Sequence, residues 1–141
     1  MIYLDTSAAV PLFVPEPSSE AITEWIEANN APLVSSDWIV TEFASALSIK
    51  VRQGEIDARQ ARTARDQFKE FCRTGLRLLP LSRSMFELAS DLAANPKSGL
   101  RSGDSLHLAA AMEIKVDAIL TVDYGLAKNA RSSNLLVVKI K

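Results

Sequence analysis

The 141-residue sequence contains one cysteine, Cys72, and one histidine, His107. A lone cysteine cannot close an internal disulfide, and with one histidine beside it there are too few soft donors for a zinc site. Any metal must therefore be held by oxygen. Long hydrophobic runs are also missing: no apolar stretch is long enough to span a bilayer, and the short apolar opening lacks the basic leader and small-residue cleavage site of a secretory signal. The expectation is a cytoplasmic protein with no membrane partner. A charge of one sign is absent as well. Sixteen Lys and Arg against seventeen Asp and Glu leave a net charge of −1, so bulk electrostatics do not point to nucleic acid and any basic surface must be local.

What is present is enough for a core. With 48% hydrophobic and 23% charged residues, the chain fits one globular domain over residues 1–141. "IYL" at Ile2–Leu4 reads as a strand. "SAAVPLF" makes one or two helical turns before Pro15 and Pro17 stop it. "SSEAITEWIEANN" has a serine cap, an acidic first turn and Ile22, Trp25 and Ile26 on one face, which predicts an amphipathic helix. "PLVSS" suits a second strand, "DWIVTEFASALSIKVRQG" a long helix closed by Gly54, and 57–74 another helix. "LRLLPL" predicts a strand, "SMFELASDLAAN" a helix ended at Asn95-Pro96, and "KSGLRSG" a loop. "DSLHLAAAMEIK" is apolar on nearly all sides, the mark of a buried helix. "DAILTVD" predicts a strand, "YGLAKNA" a short helix or turn, and "LLVVKI" a closing strand. Strands separated by helices imply an α/β fold, a three-layer α/β/α sandwich around a mostly parallel sheet.

In such a sheet ligands bind beyond the carboxyl ends of the strands. Asp5 follows "IYL" and Asp123 follows "AILTV", each anchored by the apolar residues before it. Taken singly, either is an ordinary turn or cap residue. Glu42 is bordered on its helical wheel by Trp38, Ala46 and Ile49, while the polar face of that helix runs elsewhere through Thr41, Ser45, Ser48 and Arg52, so it should face a cleft. Asp104 opens the buried helix, where an N-cap is the simple explanation. Four acids at strand ends or on core-facing positions are nonetheless costly to place without compensation. Mg2+ or Mn2+ would supply it, since hard cations prefer carboxylate oxygens.

"YLDTSA", "TEFASAL", "GDSLHLAAA" and "ILTVDYGLAKNA" together resemble the PIN-domain ribonucleases, most closely the VapC-type toxins of toxin–antitoxin pairs. The resemblance spans nearly the whole chain, with the four acids in family order. It implies an endoribonuclease whose catalytic and metal-holding residues are Asp5, Glu42, Asp104 and Asp123, helped by Thr6 and Ser7, with Mg2+ or Mn2+ as cofactor. It also implies an RNA substrate cut to a 5′-phosphate and a 3′-hydroxyl, a cognate antitoxin and a homodimer. One departure is the turn after Asp123, where relatives carry a phenylalanine and this chain has Tyr124 and Leu126. The chemistry suits the residues independently: phosphodiester hydrolysis needs an activated water and positive charge, which carboxylates provide only by cradling one or two divalent ions.

Other residues have plainer readings. His107 sits one turn from Asp104 and is expected to be a hydrogen-bonded core histidine rather than a ligand. Arg59, Arg62 and Arg65 are expected on a solvated helix face; Lys97, Arg101 and Lys128 are the better candidates for substrate phosphates. Trp25, Trp38 and Phe43 are mostly core, with some aromatic surface available to an antitoxin peptide. Two other enzyme classes fit less well. A haloacid-dehalogenase-type phosphatase needs a second acid where Ser7 stands, and a receiver domain needs adjacent acids at the end of the first strand. A binding module on the same fold, without nuclease activity, is the non-enzymatic alternative.

Overall fold

The computed structural model describes residues 1–140. Five strands, β1 (Ile2–Leu4), β2 (Leu33–Ser36), β3 (Arg77–Leu79), β4 (Ala118–Leu120) and β5 (Leu136–Val137), form one sheet in the order β3-β2-β1-β4-β5. Every pairing is parallel, with Ile2 opposite both Leu33 and Ala118. Seven helices connect and cover them: α1 (Thr6–Ala9), α2 (Ser19–Ala28), α3 (Trp38–Arg52), α4 (Ala58–Thr74), α5 (Arg83–Ala94), α6 (Ser102–Ile114) and α7 (Tyr124–Ser132). This is the expected three-layer α/β/α sandwich. Among the described residues no helix is long and apolar enough to cross a membrane.

The two-residue period of the strands separates two cores. Ile2, Leu4, Leu33 and Leu120 point to one face, where they meet Ile22, Ile39, Leu47 and the ring pair Phe43 and Phe68, stacked with centroids 3.9 Å apart. Tyr3, Val34 and Ile119 point to the other, against Leu108, Ala111, Leu126 and Ala130. Helix α6 is buried from Ser105 through Ala111, as its all-round apolar pattern requires, and small alanines let α5 pack closely on it through Ala89, Leu106 and Ala109. Helix α4 starts on a capping box in which Asp57 and Gln60 bond each other's backbone N–H.

Boundaries differ from expectation in places. "SAAVPLF" splits into α1 and a 3-10 turn over Val10–Leu12, because Pro11 has no N–H to continue the helix. Ser18 makes no side-chain cap; Ser19 Oγ instead accepts from Glu16 N at 2.9 Å and donates to the Val14 carbonyl. The closing strand shortens to two paired residues at the sheet edge. Helix α6 begins at Ser102, inside the segment expected to be a loop, so Asp104 is its third residue and not its cap.

Candidate functional site

The strand order reverses at β1 and β4, which leave the sheet side by side. Asp5 directly follows β1, and Asp123 lies just past the end of β4, after Thr121 and Val122. Asp5 occupies the N-cap of α1, its Oδ1 accepting from Ala8 N at 3.4 Å and from the Ser7 hydroxyl at 2.9 Å. Asp123 caps α7, with Oδ1 accepting from Leu126 N at 2.7 Å. The cap readings of both residues are therefore correct, and both also face the same cleft. Ser7 ties the two strand ends together: its Oγ lies 3.1 Å from Thr121 Oγ1 and accepts from Val122 N at 3.0 Å while donating to Asp5. Asp5 is only 2% exposed. Burial pushes its carboxyl from 3.8 up to about 6, against the opposing influence of His107 and the hydroxyls of Ser7 and Thr121.

Glu42 enters from α3. Burial alone would raise its carboxyl, but His107, Thr6 and Trp38 together hold it below the usual range. His107 Nε2 donates to Oε1 at 2.7 Å, the Thr6 hydroxyl donates to the same oxygen, and Trp38 Nε1 donates to Oε2 at 3.1 Å. Gly103 on α6 lies against this carboxylate so tightly that a Cβ there would collide with Oε2. Asp104 comes from the first turn of α6, 3.6 Å from Arg101 Nε. Burial lifts its carboxyl, the charges of Asp123 and Glu42 lift it further, and Arg101 opposes them.

The cleft so formed has a volume of about 470 Å3 and is lined by Asp5, Thr6, Ser7, Glu42, Asp104 and Asp123, all six residues singled out in the sequence. Trp38, Ala46 and Ile49 also line it, as the wheel of α3 predicts, but so do Thr41 and Ser45. Thr41 and Ser45 thus form part of the cleft rim, while Ser48 and Arg52 continue that face into solvent. Arg101 stands on the opposite rim with its side chain 83% exposed; Lys97 and Lys128 do not line the cleft, and Arg59, Arg62 and Arg65 are solvated on α4. His107 is the buried, hydrogen-bonded histidine expected, but it is bonded to Glu42, a residue far away in sequence. Spacing carried no sign of that contact. The Trp38–Glu42 bond, one helical turn apart on α3, was open to reading.

The donor set is four carboxylates and no sulfur, which suits Mg2+ or Mn2+. Two of those carboxyls are raised by burial or by like charge, the cost a cation relieves. As the side chains stand, however, no three Asp, Glu, His or Cys groups among the described residues are gathered to hold one ion. Asp5 and Asp123 turn Oδ1 toward helix N–H groups, and Glu42 turns Oε1 toward Thr6 and His107.

Residues 2–132 match the family model of the PIN domain. The chain is 29% identical over 133 residues to Ribonuclease VapC47 of Mycobacterium tuberculosis, covering 93% of this chain and 90% of that one. Among solved structures it resembles VapC20 of the same organism, a Sarcin-Ricin loop cleaving toxin, with a TM-score of 0.72, 15% identity and coverage of 92% and 95%. It also resembles a toxin-antitoxin complex from Klebsiella pneumoniae, with a TM-score of 0.66, 14% identity and coverage of 99% and 97%. The chain belongs to the PIN-domain family and is a distant relative of the VapC-type toxins of toxin–antitoxin systems.

Proposed function

We propose that this protein is an endoribonuclease that hydrolyses RNA phosphodiester bonds with Mg2+ or Mn2+, and that a cognate antitoxin protein keeps it inactive. The observation that carries the reading is that Asp5, Glu42, Asp104 and Asp123, from four separate segments, line one cleft at the carboxyl edge of the sheet. Carboxylates alone repel a phosphodiester, so their concentration there makes sense for a site that binds cations first. When bound, the divalent ion supplies the positive charge and the activation of water that the hydrolysis needs. The chain's residues supply its seat. Ser7 fixes Asp5 relative to the end of β4, while Thr6 and Trp38 orient Glu42. Arg101, exposed on the rim, is placed to meet a backbone phosphate.

The antitoxin and a homodimeric state are proposed from the relation to toxin–antitoxin proteins. The decisive experiment incubates purified protein, free of any antitoxin, with a mixed RNA substrate and Mn2+. Cleavage that stops on chelation and is lost in a folded Asp5→Asn variant supports the nuclease. RNA bound but uncut by the wild type, at saturating Mn2+, would make the protein a binding module on the same fold.

A further inference from the structure

Beneath the cleft lies a polar chain that the reading above leaves unused. Tyr3, in the central strand, and His107, on the buried helix, are both 0% exposed. The Tyr3 hydroxyl sits 2.8 Å from His107 Nδ1 and 3.0 Å from Ser36 Oγ, and the two rings meet edge to face at 5.7 Å. On its other side His107 places Nε2 2.7 Å from Glu42 Oε1 and 3.1 Å from Thr6 Oγ1. A carboxylate only accepts, so Nε2 carries the hydrogen that joins ring to glutamate. Nδ1 then faces a hydroxyl, which fixes the ring plane from behind.

Apolar side chains would fill these two positions at less cost in desolvation. What the polar pair adds is direction. The chain starts in the sheet at Ser36, passes through Tyr3 and His107, and ends on an oxygen of Glu42, with no buried side-chain polar atom left unpartnered among the described residues. Glu42 is thereby gripped from α1 by Thr6, from within α3 by Trp38 and from α6 by His107, with Gly103 closing the fourth side. Asp123 leans on its own helix terminus, and Asp5 on its helix terminus and the Ser7 hydroxyl, without a buried ring behind either.

We infer that Tyr3 and His107 are positioning residues: they hold the Glu42 carboxylate in the orientation that binds the divalent ion, and through it set the affinity for that ion. The inference rests on the proposed metal-dependent reading of the cleft. Partners that orient a metal ligand typically change metal affinity by about 10–100-fold when removed.

The test is Mn2+ binding to the full chain, read by the spin-resonance signal of free Mn2+ without RNA, for wild type, Tyr3→Phe and His107→Ala. Thermal melting in chelator is recorded in parallel. Tyr3→Phe keeps the ring and its packing but leaves His107 Nδ1 and Ser36 Oγ short of a partner, so it should fold with a lowered melting temperature and bind Mn2+ about 10-fold more weakly; His107→Ala should weaken binding by about 10–100-fold. A purely structural role would lower the melting temperature and leave Mn2+ affinity unchanged, and that result would overturn the inference. If His107→Ala does not fold, Tyr3→Phe decides alone. A wild-type protein that takes up no Mn2+ would instead remove the metal reading of the cleft and the inference with it.

Discussion

Asp5 shows how one residue carries two demands. As a helix cap it needs only an oxygen acceptor, and asparagine would serve equally. As a buried carboxylate it is expensive, and that expense has a definite sign. Its folded-state value, about 6, lies above the ordinary 3.8, so between about pH 4 and 6 the unfolded chain has lost a proton that the native protein retains. Native stability then falls as pH rises through this window and levels off above it, by about 3 kcal/mol in all. Asp5→Asn should therefore reduce the slope, leaving the part that belongs to the raised carboxyl of Asp104, and melt higher than wild type at pH 7 in chelator, while losing RNA cleavage. Denaturant titrations from pH 4 to 7.5 check the first point; an unchanged slope would show that Asp5 is not the group responsible. Glu42 works in the opposite sense, its lowered carboxyl adding stability that disappears as pH falls below the ordinary range. Both acids could be picked out from sequence, since one ends an apolar strand and the other interrupts an apolar helix face. Their shifts could not, because they depend on burial and on His107, Thr6 and Thr121, which only the folded chain brings near.

Secondary elements place these residues, and local sequence pattern marks some of their boundaries and hides others. Helix α6 declared itself by its alanines, but its start was concealed in "KSGLRSG", where Gly99 does take a positive φ of 66° while Gly103 is helical. A glycine signals a turn or a close approach with the same letter, and Gly103 marks the approach of Glu42. Strands β4 and β5 are shorter than their apolar runs, because pairing stops where the chain turns into the cap of α7 or reaches the sheet edge. The loops after β1 and β4 are joined by the Ser7 hydroxyl, just beyond the backbone bond from Asp5 N to the Leu120 carbonyl. Ser7→Ala strips one donor from Asp5 and leaves Val122 N without its acceptor, which should cost about 1–2 kcal/mol. It should also reduce cleavage, since Asp5 loses its fixed relation to Asp123. Urea midpoints and cleavage rates measured side by side test this, and a variant matching wild type in both would show that the strand ends are held by the sheet alone.

Across the whole molecule, alternating strands and helices disclosed the sandwich, and the positions of the acids at strand ends disclosed the cleft edge. Strand order was beyond reach. Nothing in the local pattern says that β1 lies between β2 and β4, because that depends on which side each crossover takes. With the order known, the cleft joins residues from nearly the full length of the chain, and ligand binding there should stabilise all of it. Mn2+ at about 100 times its dissociation constant should add about 2.7 kcal/mol, seen as a higher melting temperature that Asp5→Asn largely lacks. An equal rise in both proteins would mean that the ion binds elsewhere.

The central position of β1 also bears on biosynthesis. Ile2, Tyr3 and Leu4 pair with Ala118, Ile119 and Leu120, so the strand bearing Asp5 leaves the ribosome long before the partner that precedes Asp123. Until then one edge of β1 has no neighbour, Ser7 has nothing to bond at Thr121 or Val122, and the fourth acid does not yet exist. A nascent chain stalled anywhere before β4 would expose a bare strand edge, a target for chaperones or proteases, but no assembled cleft. The topology thus delays assembly of the cleft, and with it the proposed activity, until β4 and the residues that follow it have been made.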